Sequence, residues 1–209
     1  MTAFISSPAE VTLAAFDFTT GTLLLTEAGN KKRASLYLVR GATALAEHDP
    51  GGIEPLECSP EAFGQRLRRD NKTLKRALTS PNIFSGIGNA YSDEILHAAR
   101  LSPTRLTSQL SEDQVDSLFR ATVDTLTTWR KRLRQDSAST FPEKVTAFRP
   151  QMAVHGKFGK PCPDCGTQVA RIRYKSNETN YCPRCQTGGR VLSDRSLARI
   201  LKDDWPDRL

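Results

Sequence analysis

No run of this chain approaches the about 20 consecutive apolar residues that a membrane-spanning helix needs. The opening segment Met1-Thr2-Ala3-Phe4-Ile5-Ser6-Ser7-Pro8 also lacks the basic stretch and apolar stretch of a secretory signal. A cytoplasmic protein with no membrane partner is expected. Cysteine is scarce, five in 209 residues, and an odd number argues against a disulfide framework. Internal repeats and long low-complexity tracts are missing, which excludes a solenoid or a fibrous chain. Acidic residues are outnumbered: 23 Asp plus Glu stand against 30 Lys plus Arg, a formal charge of +7 that favours a polyanionic partner without naming one. Wholesale disorder is excluded by the 38% of hydrophobic residues, spread from Phe16 and Leu23 to Leu118 and Trp129. The length leaves room for one large domain or two small ones.

What is present falls into segments of different period. Residues 11–18 and 23–26 read as two strands around the Thr19-Thr20-Gly21-Thr22 turn, and residues 34–40 as a third. So few strands need something to pack against. Asp49-Pro50-Gly51-Gly52 marks a boundary, after which helical signals take over. Ser59 before Pro60 opens a helix through Phe63 and Leu67, and a short helix is expected over residues 72–78. Another runs from Ala90 to Arg100, and the longest follows Ser111, with Glu112 and Asp113 in its first turn. In that last helix Val115, Leu118, Phe119, Val123, Leu126, Trp129 and Leu133 recur at three- and four-residue steps. A polar connection spans 137–150, and residues 191–201 suit a short amphipathic helix.

Four cysteines lie within 24 residues, as Cys162-Pro163-Asp164-Cys165 and Cys182-Pro183-Arg184-Cys185 with sixteen residues between. Two such knuckles supply four soft thiolates for one tetrahedral zinc, a closed structural site with no position left for water. Two disulfides or buried free thiols are the alternatives, which a cytosolic setting disfavours. Residues 169–175, Val-Ala-Arg-Ile-Arg-Tyr-Lys, alternate like a strand with cations on one face. Such a hairpin suits phosphate contact, or else is a solvated basic face.

Gly86-Ile87-Gly88-Asn89 at a helix start places unpaired backbone N–H groups at the positive end of a helix dipole, a ready phosphate site. A turn that uses glycine for backbone reasons is the plainer reading. His97 reads as a packed helix residue, and His48 and His155 show no catalytic partner. Cys58 is solitary and reads as structural. Asp93 and Glu94 are adjacent on a helix and so point to different faces, which argues against paired acid–base chemistry.

Phe84-Ser85-Gly86-Ile87-Gly88-Asn89-Ala90-Tyr91-Ser92-Asp93-Glu94-Ile95-Leu96, followed by Leu101-Ser102-Pro103, resembles the helix–two-turn–helix signature of the formamidopyrimidine-DNA glycosylase/endonuclease VIII family. The cysteine module, closing Tyr181-Cys182-Pro183-Arg184-Cys185-Gln186, is similar to that family's zinc finger in order and spacing. The likeness covers roughly residues 55 to 188. It implies an α+β architecture: a partial N-terminal β-sandwich over 1–52, a helix–two-turn–helix domain over 53–150, a β-hairpin zinc finger over 151–188 and a tail over 189–209. It also implies base-excision repair by a monomer on damaged double-stranded DNA. Such enzymes flip an oxidised base out of the stack, cleave its glycosidic bond and nick the strand. By the same likeness Asn89 is a phosphate contact, Lys75 the lysine that precedes the motif, and Cys162, Cys165, Cys182 and Cys185 the ligands of one structural zinc. Gly86, Gly88, Arg173 and Lys175 complete the expected DNA-binding set.

The departures sharpen the expectation. The family's nucleophile is an N-terminal proline amine followed by glutamate, and this chain opens Met1-Thr2, with Pro8 internal and its nitrogen an amide. No catalytic residue is therefore assigned, and a chain lacking the family's N-terminal part is expected. Asn177 stands where the family's hairpin usually carries arginine, and the loop expected to fill the void left by a flipped base falls near Lys31, Lys32 and Arg33. Two readings follow: a shortened glycosylase/lyase, or a non-catalytic zinc-dependent module that recognises damaged sites. A zinc-ribbon RNA-binding protein would explain the charge and the cysteines but not Gly86 to Leu96.

Overall fold

The computed structural model describes residues 12–27, 34–138, 148–174, 177–193 and 208. Lys31, Lys32, Arg33, Lys175 and most of the expected C-terminal helix lie outside them; Val191 to Ser193 are irregular. The chain divides into two compact units, Met1–His48 and Asp49–Leu209.

In the first unit β1 (Thr12–Phe18) and β2 (Gly21–Thr26) pair antiparallel, Phe18 opposite Gly21 and Asp17 opposite Thr22. The Thr22 hydroxyl donates to Asp17 Oδ1 at 2.7 Å and closes the turn. The expected third strand does not form: residues 34–40 are irregular, and Leu36, Tyr37 and Leu38 are 66%, 66% and 99% exposed. Strand-favouring side chains do not make a strand without a ladder partner and a surface to cover. Instead the chain turns at Gly41 (φ +83°) into a short helix, α1 (Gly41–Ala46), for which the sequence shows no cap signal.

The second unit starts where Gly52 passes so close to residues 81–85 that a Cβ there would sit 2.3 Å from the Pro81 carbonyl oxygen. That approach lets Ile53 N–H donate to Ile83 O and Ser85 N–H to Ile53 O. In α2 (Pro60–Arg68) the Ser59 hydroxyl accepts the Ala62 N–H, and Phe63 and Leu67 face inward. Then come α3 (Leu74–Leu78), α4 (Asn89–Ala98), a 3-10 turn (Thr107–Gln109) and α5 (Glu112–Asp136). Ser111 and Gln114 form a reciprocal capping box on α5, satisfying two of the donors a helix start leaves open. The core joins these elements: Phe63, Leu67, Leu74, Leu78, Ile83, Ile95, Leu96 and Leu118 are fully buried, and Phe63 stacks on Phe84 with centroids 4.5 Å apart.

Helix α4 stops at an αL residue, Arg100 (φ +54°), with Leu101 N–H donating to Leu96 O and Arg100 N–H to His97 O. This pair of hydrogen bonds is the Schellman closure. The last part is a hairpin, β3 (Ala170–Tyr174) and β4 (Asn177–Tyr181), followed by α6 (Pro183–Thr187). Its small core is Val154, Cys162, Val169 and Cys182. Gln186 ties it to the helices, donating to Leu101 O and accepting the Cys182 N–H.

Candidate nucleic-acid interface and metal centre

The four knuckle sulfurs converge because each knuckle folds into a tight turn. Gly166, in the αL region at φ +73°, donates to Cys162 O, and the Cys182 sulfur accepts the Cys185 N–H across the first turn of α6. All four Sγ atoms lie within 4.8 Å of one another, with Cys162 to Cys185 at 3.9 Å and Cys165 to Cys182 at 3.4 Å. A tetrahedron with zinc–sulfur arms of about 2.3 Å has edges of about 3.8 Å. The set therefore fits one zinc, and all four cysteines are free rather than paired in disulfides. Hydrogen bonds from Thr167 hold the Cys165 thiol down to about 6, while burial pushes Cys182 and Cys185 up. A divalent ion favours the thiolate of all four, so zinc binding releases protons and weakens in acid.

In the sequence His97 reads only as a packed helix residue. It is packed, 4% exposed, and its Nε2 also lies 3.3 Å from Cys162 Sγ and 3.9 Å from Asp164 Oδ2. Burial lowers its pKa, and a neutral ring whose Nε2 carries the proton donates to the thiolate. Helix α4 is thereby attached to the metal centre.

At the other end of α4 the turn through Gly86 (φ +73°) delivers Gly88 as an extended N-cap with no side chain over the first N–H groups. Those donors and the dipole's positive end face outward together. Asn89, the first helical residue, donates Nδ2–H to Glu178 O in β4 at 3.0 Å. Lys75 is brought to the same place from α3, but inward. Its ammonium donates to Asn89 O at 2.6 Å and to Asp93 Oδ1 at 2.5 Å, and its side chain is 12% exposed. Burial lowers the Lys75 pKa, against the pull of the Asp93 charge.

Asp93 and Glu94 leave α4 in different directions, as adjacent helical residues must, and both reach the zinc module. Asp93 Oδ2 accepts the Asn180 N–H at 3.1 Å and meets His155 Nδ1 at 2.8 Å. Glu94 accepts three backbone N–H groups, those of Ala153, Val154 and His155, at 2.8 to 2.9 Å. No spacing rule reveals these clamps, since the partners lie 59 to 87 residues away.

Between the α4 turn and the hairpin lies a cleft of about 480 Å³, lined by Gly86, Gly88, Asn89, Tyr91, Phe148, His155, Asn177 and Glu178. Thus Asn89, Gly86 and Gly88 share one wall with Asn177 opposite. Arg173 is exposed on β3, across from Glu178 in register. Arg171 pairs with Glu178 at 3.6 Å and lies over the Phe158 ring at 4.1 Å.

Residues 52–140 match the formamidopyrimidine-DNA glycosylase H2TH domain, and residues 159–188 the zinc finger found in FPG and IleRS. An uncharacterized formamidopyrimidine-DNA glycosylase-like protein of Mycobacterium tuberculosis is 37% identical over 152 residues, 72% of this chain and 94% of that protein. The chain belongs to the formamidopyrimidine-DNA glycosylase family. The formamidopyrimidine-DNA glycosylase of Thermomicrobium roseum is 38% identical over 144 residues, 65% of this chain and 48% of the relative. Against the glycosylases so named, this chain spans about half the length of the relative. The Lactococcus lactis FPG in complex with DNA containing an oxidized pyrimidine aligns with TM-score 0.58 and 26% identity, over 69% of this chain and 54% of that one. Another complex from that organism, with abasic-site DNA, gives 0.57 and 25%, over 69% and 55%. The α+β family fold and its four-cysteine zinc finger are therefore present here. Among the described residues no helix is long and apolar enough to cross a membrane.

Proposed function

We propose that the chain binds damaged duplex DNA in base-excision repair, in the cytoplasm, gripping the phosphate backbone between the start of α4 and the β3–β4 hairpin. The observation that carries this reading is the Asn89–Glu178 hydrogen bond, which makes the uncapped helix start and the zinc hairpin two walls of one cleft. An oxyanion placed there meets backbone N–H groups and a helix dipole, with Asn89 and Asn177 beside it. The zinc holds the hairpin and takes no part in bond making. Arg173, exposed on β3, adds a cation to the hairpin beside the cleft.

For the described residues, recognition is favoured over amine chemistry, because the Lys75 ammonium is already held by Asp93 and the Asn89 carbonyl. Excision and strand nicking remain the activities that the family likeness implies for a protein carrying the family's nucleophile. Borohydride trapping on a duplex with one abasic site separates the two. We expect retardation of the duplex without a covalent adduct on Lys75; an adduct mapped to Lys75 by mass spectrometry would overturn the assignment of this site to binding.

A further inference from the structure

Helix α5 is electrically lopsided: four acids and one base in residues 112–128, four bases and one acid in 129–136. Arg130, Lys131, Arg132 and Arg134 are exposed, and none forms an ion pair among the described residues. Complementing the helix dipole does not account for them. That effect fades within the last turn, and Arg134 is the base found there.

Packing fixes where these cations stand. Trp129, 6% exposed, packs on Ala90 and Met152, and its ring lies 5.9 Å from that of Tyr91. Ala90 directly follows Asn89, so the indole anchors the basic end of α5 beside the cleft wall. The Arg132 guanidinium sits 5.1 Å over the same indole and is held there as a cation over a ring face. Arg149 lies near enough to Tyr91 for its charge to act on that hydroxyl, and its buried Nε has no hydrogen-bond partner among the described residues.

We propose that the end of α5, with Arg149, forms a second contact on the duplex backbone, flanking the one at Asn89. The proposal rests on the DNA-binding reading above and adds to it the length of duplex engaged. Trp129 to Arg134 advances about 7.5 Å along the helix, while duplex DNA presents a phosphate about every 1.7 Å of its axis. A duplex held at Asn89 therefore offers further phosphates to this face.

The test uses the full chain and a variant carrying Arg130→Gln, Lys131→Gln, Arg132→Gln and Arg134→Gln, titrated by anisotropy. Two duplexes with a central abasic site are compared, about 10 and about 25 base pairs long, at several salt concentrations. Each phosphate contact contributes about 0.9 to the slope of log affinity against log salt. The variant should therefore show a slope shallower by about 2 to 4, and at least about tenfold weaker binding, on the long duplex. On the short one the change should be small. Unchanged slopes on both duplexes with a lowered melting temperature would assign the cations to helix stability and overturn the flanking contact, leaving Asn89 in place. Equal changes on both duplexes would overturn it too, by placing the contact inside the central site. Failure of the unsubstituted chain to bind either duplex would overturn both readings.

Discussion

Asp93 is a carboxylate with no solvent exposure, held by an ammonium, an imidazole and a backbone N–H, each from a different segment of the chain. Removing one partner of such a group strands the others, and breaking a buried pair costs about 3–5 kcal/mol. Asp93→Ala should lose that much in denaturant unfolding; a loss under about 1 kcal/mol would show that the group is not integral. Lys75 gives the site a pH signature. Its folded pKa lies below the ordinary 10.5, so between the two values the unfolded chain binds more protons and stability rises with pH. Relative to Lys75→Met, the unsubstituted chain should gain stability as pH climbs toward 10.5, and a relative loss over that range would contradict the burial argument. His97 is the third residue with a measurable consequence. Replacing it with Phe removes a donor to the Cys162 sulfur and should weaken zinc binding about 10- to 100-fold in chelator competition. An unchanged zinc affinity would reduce His97 to packing alone.

Elements were legible where the signal was local. Ser59 with Pro60, Ser111 with Glu112 and Asp113, and the two knuckles each lie within a few residues, so caps and metal ligands are visible in the sequence. The irregular course of residues 34–40, where a strand is expected, and the helix α1 were not, because both depend on what lies alongside rather than on the residues themselves. The clamps from Asp93, Glu94 and His97 were hidden for a similar reason: their partners come into reach only when the zinc module folds against α4. The inward turn of Lys75 was hidden likewise, since the carboxylate it meets sits on another helix. At the end of α4, Arg100 occupies the αL position of a Schellman closure, which costs a non-glycine residue about 1–2 kcal/mol. Arg100→Gly should stabilise the fold by about 0.5–1 kcal/mol, the αL relief less glycine's greater loss of chain entropy. A lower melting temperature would mean that the weak 4.0 Å contact of Arg100 with Asp164 outweighs that relief.

For the whole molecule, the glycine-turn helix motif and the cysteine module of the sequence become a single structure. Helix α4 has Asn89 at one end, bonded to the hairpin, and His97 at the other, against a zinc thiolate. Between them Asp93 and Glu94 hold the module in place. The four knuckle cysteines are thereby linked to the cleft without lining it. The +7 charge acquires places as well, on the hairpin and the end of α5. The most direct test of this account is the salt dependence of binding to a duplex with one abasic site, for the unsubstituted chain, Asn89→Ala and the chelated protein. The account predicts a linear fall of log affinity with log salt, a slope shallower by about 0.9 for Asn89→Ala, and loss of binding when zinc is removed. Binding that ignores salt, or that survives zinc removal unchanged, would contradict it.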